Sequence, residues 1–253
     1  MESIYLTLFF IYGLVFGSFF NVVGSRIPRK ESIVLPSSHC EKCGHKLTFL
    51  ELLPVLSYFF QKGKCKKCKT KLSIMYPLFE LFTGLVFALA YLKFGLTVEI
   101  IIPLTFMSML LIIIVSDIEY MIIPDEILIF FGILLIIEIF IIEGWLEVVH
   151  ALLGGTLAFL SMMALKIFGD HIFAKESMGG GDVKLLFFLG LCMELKNALF
   201  SIFVGAILGL PISLLILHVK KTNIIPFGPF LSLAAIIIVL SGFGLNELLV
   251  YLI

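Results

Sequence analysis

Eight apolar runs set the terms on which this chain can fold. They occupy residues 3–23, 76–93, 98–116, 126–143, 147–168, 183–195, 197–218 and 226–252. A helix that crosses a bilayer needs roughly 20 mostly apolar residues, and backbone in lipid must satisfy its own hydrogen bonds. Seven of the runs approach that length, and 183–195 is short. The pattern predicts an all-α polytopic membrane protein with about eight transmembrane helices. Composition agrees, with 60% hydrophobic residues, a mean hydropathy of +1.15 and only 14% charged residues. A soluble domain carries about 25% charged residues. The first run has Glu2 and no Lys or Arg ahead of it, which argues against a cleaved signal. Pro211, inside the seventh run, marks an expected kink.

The charge map orients the spans. Eleven of the 18 Lys and Arg residues lie in 24–75, beside three acids, Glu31, Glu41 and Glu51. Basic loops stay in the cytosol. Residues 24–75 are therefore expected inside and the N-terminus outside. Alternating eight spans places 117–125, 169–182 and 219–225 inside too. Lys166, Lys175, Lys184, Lys220 and Lys221 then also lie at the inner edge, and only Lys93 and Lys196 outside. The expected location is a bacterial cytoplasmic (inner) membrane. Net charge is zero, which gives no pull toward nucleic acid.

The chain divides by composition into a first transmembrane helix at 1–23, an insert at 24–75 and a bundle at 76–253. The insert contains Cys40-Glu-Lys-Cys43 and Cys65-Lys-Lys-Cys68, with 21 residues between the pairs. Each C-x-x-C knuckle turns two thiolates toward one tetrahedral ion, and two knuckles at this spacing form a zinc pattern. A reducing cytosol disfavours disulfides. Four thiolates leave no position open for substrate, so the expected zinc is structural. Gly44 suits the tight turn that closes the first knuckle. The six lysines from Lys62 to Lys71 make the second half of the insert basic, which favours attraction to anionic lipid. Cys192, in an apolar run, is expected to pack as a small hydrophobe.

Two acids remain at the cytosolic edge of hydrocarbon. Asp117 closes one run, in Asp117-Ile-Glu-Tyr-Met-Ile-Ile-Pro124-Asp125, and Asp182 follows Gly179-Gly180-Gly181. Carboxylates at such a depth are costly and are usually functional. If they meet across a bundle, one can take a proton from water while the other polarises a carbonyl. The glycines keep the chain before Asp182 from stiffening and let other groups approach. The plainer alternative has the acids as helix caps wetted by cytosol, Asp125 beside Pro124 above all.

The text around these acids resembles the type IV prepilin peptidases, polytopic aspartyl proteases of the G-x-G-D group. The resemblance covers nearly the whole chain. It runs through Phe16-Gly17-Ser18-Phe19-Phe20-Asn21 to Arg26-Ile27-Pro28, the two C-x-x-C pairs, Leu53-Pro54-Val55-Leu56-Ser57-Tyr58 and Tyr76-Pro77-Leu78-Phe79-Glu80. It continues through Met178-Gly179-Gly180-Gly181-Asp182-Val183-Lys184 and Ile225-Pro226-Phe227-Gly228-Pro229. Two departures lie in Glu51-Leu52-Leu53-Pro54 and in Ile127-Leu128, where the family usually has other residues. The resemblance implies Asp117 and Asp182 as the catalytic pair, with Asp125, Gly179, Gly181 and Lys184 in support. It implies prepilins or pseudopilins as substrates, cut after a short basic leader.

Many such proteins also methylate the new N-terminus with S-adenosylmethionine. The resemblance makes Gly17, Asn21, Arg26, Pro77 and Glu80 the candidates for that activity. From chemistry alone, an Asn21–Glu80 or Arg26–Glu80 contact that holds the insert in place is the competing expectation. Two other classes compete for the whole chain. A proton- or cation-coupled transporter explains membrane acids but not the basic cysteine insert. A docking scaffold explains the insert but not the glycines before Asp182.

Overall fold

The computed structural model describes residues 1–174, 178–220 and 225–252. Lys175 and Lys221, used above in the charge map, lie outside the described residues, and the side chain of Lys220 is not described. Most of the described residues are helical, and extended pairing among them is confined to two isolated bridges in the insert. The chain forms two compact units, Met1–Leu96 and Thr97–Ile253.

In the first unit, α1 (Glu2–Arg26) packs along α3 (Met75–Phe94), and the insert with the short α2 (Leu56–Phe60) connects them. Gly13 and Gly17 lie four residues apart on α1. A β-carbon on Gly13 would stand 2.7 Å from the Cα of Gly84, and one on Gly17 would stand 3.0 Å from the Cα of Glu80. Small residues at this spacing let helices touch backbone to backbone in lipid, where hydrophobic burial no longer drives association.

The second unit holds α4 (Ile101–Tyr120), α5 (Asp125–Ile142), α6 (Trp145–Phe173), α7 (Gly180–Lys220), α8 (Gly228–Ser241) and α9 (Leu245–Leu252). The C-terminal half of α4 is its centre: every residue from Met109 to Asp117 is buried. A helix that is apolar all round must be covered all round. α8 and α5 pack on α4, while α6 lies along α7. Gly154 and Ala158 of α6 face Gly190 of α7, where a β-carbon would meet Ala158 Cβ at 2.6 Å. That close seam fixes the start of α7, and with it Asp182, against the bundle.

Among the described residues, five helical stretches are long and apolar enough to cross a membrane: Glu2–Arg26, Met75–Phe94, Val98–Tyr120, Trp145–Ile172 and Gly180–Ile216, the last interrupted at Glu194. The eight expected apolar runs all fall mainly on helix. The runs 183–195 and 197–218 are two helical stretches of α7, parted where the backbone leaves helical geometry at Glu194 (φ 62°, ψ 161°); Pro211 lies inside the second stretch. The run 226–252 divides into α8 and α9, because Gly242 takes φ +67° and closes α8 with a left-handed cap. α5 is 18 residues long but carries Asp125, Glu126 and Glu138. Glu138 accepts a hydrogen bond from Thr105 Oγ1 at 2.8 Å, which ties α5 to α4.

Candidate active site and metal centre

The two knuckles are one structure built twice. Bridges His39–Lys46 and Lys64–Lys71 close them. In the first, the Cys40 N–H donates to His45 O and the Gly44 N–H donates to Cys40 O. In the second, Cys65 N–H donates to Thr70 O and Lys69 N–H donates to Cys65 O. Gly44 and Lys69 hold equivalent places, with φ of 67° and 60°. The second knuckle therefore asks a lysine to adopt the left-handed conformation that glycine takes freely.

The four sulfurs lie within 4.8 Å of one another. Cys40 and Cys68 Sγ are 3.8 Å apart, and Cys43 and Cys65 Sγ are 4.0 Å apart. A tetrahedral ion with 2.3 Å bonds to sulfur holds its ligands about 3.8 Å apart. A disulfide requires about 2.05 Å, so these are free thiols arranged around a metal-sized centre. Beside them, Glu51 Oε2 accepts from Thr48 N–H at 2.9 Å and from Thr48 Oγ1 at 2.8 Å. The Thr48 amide, aided by its hydroxyl and by His45, holds the Glu51 carboxyl below its ordinary range despite its burial.

The residues that the resemblance links to methyl transfer lie at the junction of insert and helices. Arg26 Nη1 donates to the carbonyls of Ser32 and Pro36 at 3.0 and 2.9 Å. Glu80 Oε2 accepts from Val55 N–H at 2.7 Å, and the Glu80 carboxylate also bonds the Ser18 side chain. The insert is thus tethered through its backbone, and not through an Asn21–Glu80 or Arg26–Glu80 pair. Pro77 is buried in the first turn of α3. Gly17 is filled by the Glu80 backbone. Asn21 is buried, and its Nδ2 has no hydrogen-bond partner.

The aspartates are assembled within the second unit. Asp117 lies in the last turn of α4, which continues past the apolar run to Tyr120. Met121 then turns the chain (φ 56°), and its N–H donates to Asp117 O. Ser116 Oγ donates to Ile122 O and fixes the turn that carries Ile123. Ile123 is the keystone between two glycines: a β-carbon on Gly181 would stand 3.1 Å from Ile123 Cβ, and one on Gly228 would stand 3.1 Å from Ile123 Cδ1. Asp182 is in the first turn of α7, which begins inside the glycine triplet at Gly180. Gly179 precedes the helix and faces Asp182 Oδ2. Asp117 and Asp182 are 5 and 8% exposed, and Asp117 acts electrostatically on Asp182. The Gly228 N–H, at the start of α8, donates to the Asp117 carboxylate.

Asp125 and Lys184 stand at the rim. Asp125 is the first residue of α5 and makes no side-chain cap. Its oxygens accept from Lys184 Nζ at 2.7 and 2.8 Å. The expected capping role is replaced by an ion pair because Asp125 lies one residue inside the helix, past the N-cap Pro124. Lys166 of α6 was expected only as a topological charge. Its Nζ donates to Asp170 Oδ2 and to the carbonyl of Met178, each at 3.0 Å, and so anchors the residue just before the glycine triplet. Gly228, Ile123 and Ser116 also escaped sequence reasoning as parts of this cluster. The only signal was the Ile225–Pro229 text, which carried no role of its own.

Residues 11–94 match the family described as Bacterial Peptidase A24 N-terminal domain, and residues 104–214 match the Type IV leader peptidase family. A prepilin leader peptidase/N-methyltransferase of Bacillus subtilis (strain 168) is 38% identical over 243 residues, 94% of each chain. The chain belongs to the type IV leader peptidase family. Other family members with the same description are 34% identical in Myxococcus xanthus (strain DK1622), over 82% of this chain and 63% of that one, and 30% identical in Pseudomonas putida, over 96% and 93%. No solved structure matches the chain. Family membership and the apolar helices together make this a multi-pass inner-membrane protein of the leader peptidase type. Nothing in these relationships supports the transporter alternative.

Proposed function

We propose that the protein is a membrane aspartyl endopeptidase that removes the short basic leader of a type IV prepilin or pseudopilin, and that Asp117 and Asp182 are its catalytic pair. The observation that carries this reading is that both carboxylates are buried and near enough to interact, with Ile123 packed against Gly181 and Gly228, where side chains would close the space. In the mechanism, the pair shares one proton. The ionised aspartate takes a proton from water, and the water oxygen attacks the scissile carbonyl. The protonated aspartate donates to the carbonyl oxygen, and the amine leaves with a proton returned by the pair. Lys184 and Asp125 hold the starts of α7 and α5 together at the rim, and Gly179 and Gly181 keep the approach to Asp182 open.

The orientation read from charge puts the N-terminus outside, with the insert and both aspartates at the cytosolic face, where a basic leader remains. By function, residues 24–75 form the zinc insert and 76–253 carry the peptidase bundle, whose aspartates lie wholly within Thr97–Ile253. Zinc is the metal that a closed set of four thiolates suits, through Cys40, Cys43, Cys65 and Cys68, and its role is to hold the insert folded.

N-methylation of the new terminus is the second proposed activity, as in the relatives' description. S-adenosylmethionine supplies a methyl group when bound. Asn21 is the candidate with a buried donor left over to hold it, whereas Arg26 and Glu80 shape the site by fixing the insert to α1 and α3. The test of the whole proposal is to incubate purified protein with a candidate prepilin and read the product mass. Leader loss reports peptidase activity. A further methyl, appearing only with S-adenosylmethionine, reports the second. An unchanged mass would overturn the proposal.

A further inference from the structure

The insert exposes a surface that neither the metal centre nor the aspartates use. Phe49, Leu50, Phe59 and Phe60 are 78, 70, 67 and 79% exposed. They come from the turn Phe49–Glu51 and from α2, which pack on each other. An open groove of about 500 Å³ brings Leu50 and Phe60 together with Lys62, Lys64, Lys66 and Lys69. All four lysines are exposed, and among the described residues no carboxylate pairs with them. Glu51 is the acid in the lining, and Thr48 and His45 already occupy it.

Large apolar side chains grouped in the open are unfavourable in water and mark a contact surface. Aromatic residues beside lysines fit one environment well: the boundary between acyl chains and anionic headgroups. The insert is also in the right place for it. α1 and α3 are consecutive membrane-crossing helices of one unit, so the segment that joins them emerges and returns at one membrane face. An acidic protein would match the lysines but leave the phenylalanines to be covered separately.

We propose that this face docks on the bilayer, with Phe59 and Phe60 inserted at the interface and the Lys62–Lys69 cluster binding the phosphate of an anionic phospholipid. The lipid would then brace the insert that the Arg26 and Glu80 contacts tether from within.

The sole tryptophan, Trp145, makes a clean test possible. Full-length protein carrying Trp145→Phe and Phe60→Trp is placed in nanodiscs of zwitterionic or anionic phospholipid with brominated acyl chains. In the anionic bilayer the new tryptophan should lose most of its emission and shift to the blue. Replacing Lys62, Lys64, Lys66 and Lys69 with glutamine should restore the emission, as should the zwitterionic bilayer. Phe59→Trp is a second reporter, and bound metal per chain shows that each variant keeps its fold. Unquenched, water-like emission from both reporters in both bilayers would overturn the proposal and leave the face to an acidic protein. Equal quenching in both bilayers, unaffected by the glutamines, would overturn the anionic-lipid claim. Neither outcome depends on peptidase activity.

Discussion

The Gly228 N–H donates to the carboxylate of Asp117, and a β-carbon at residue 228 would stand 2.5 Å from Asp117 Oδ2. One residue at the start of α8 thus supplies a donor and, by lacking a side chain, the space for the acceptor. Gly228→Ala should push the Asp117 carboxylate aside while α8 stays in place. Because displacements near 1 Å can cost about 10²-fold in rate, leader cleavage should fall by roughly that factor. Membrane yield and melting behaviour should be little changed. Steady-state cleavage of a prepilin by equal amounts of the two proteins checks this.

Lys166 should matter for a different reason. It holds the Met178 carbonyl at 3.0 Å, one residue before the glycine triplet. Lys166→Met keeps the length of the stem and removes the donor. Cleavage should drop through kcat more than through KM, by about tenfold or more if the triplet shifts. Lys166→Arg, which can still donate, should recover part of the rate. A change confined to KM would place Lys166 in substrate binding instead.

Asp125 and Lys184 form an ion pair whose side chains are 55 and 51% exposed. Exposed pairs contribute at most about 1 kcal/mol and are screened by salt. Asp125→Asn should therefore lower cleavage by no more than about fivefold. Raising ionic strength should narrow the gap between variant and parent. A total loss of activity in Asp125→Asn would give that carboxylate a chemical role.

The metal centre predicts one zinc per chain by elemental analysis, lost in Cys65→Ser, the more deeply buried residue of its knuckle. Gly44 has open space where a β-carbon would go, so Gly44→Ala tests backbone conformation alone. It should weaken the insert by about 1 kcal/mol, the cost of a left-handed residue with a side chain. Lys69→Gly should strengthen it by a similar amount. Chelator concentration needed to strip the metal is the readout. Loss of zinc should impair methylation more than cleavage.

Both chemical centres left marks in the sequence because each uses side chains that the surroundings disfavour. Asp117 and Asp182 stand out against hydrocarbon, and four cysteines at knuckle spacing stand out in a lysine-rich loop. What surrounds them was hidden because it is made of backbone and of absent side chains. The donor at Gly228, the keystone Ile123 and the seam of Gly154, Ala158 and Gly190 look like ordinary membrane-helix residues. Hydropathy located the helices but misplaced their ends. It stopped at 116, where the helix carrying Asp117 continues to Tyr120, although its division between 195 and 197 fell beside the dihedral break at Glu194. Polar partners were also misjudged at Arg26 and Glu80, because both bind the backbone of the insert, and side-chain lists are blind to that.

The most direct measurement is product mass after incubating a prepilin with the parent protein, Asp117→Asn and Asp182→Asn, each purified at matched yield. Asparagine keeps the shape of the site and removes the shared proton. Each variant should lose leader cleavage on the order of 10³-fold or more, while zinc content stays at the parent level. Near-parental cleavage by either variant would contradict the aspartyl mechanism.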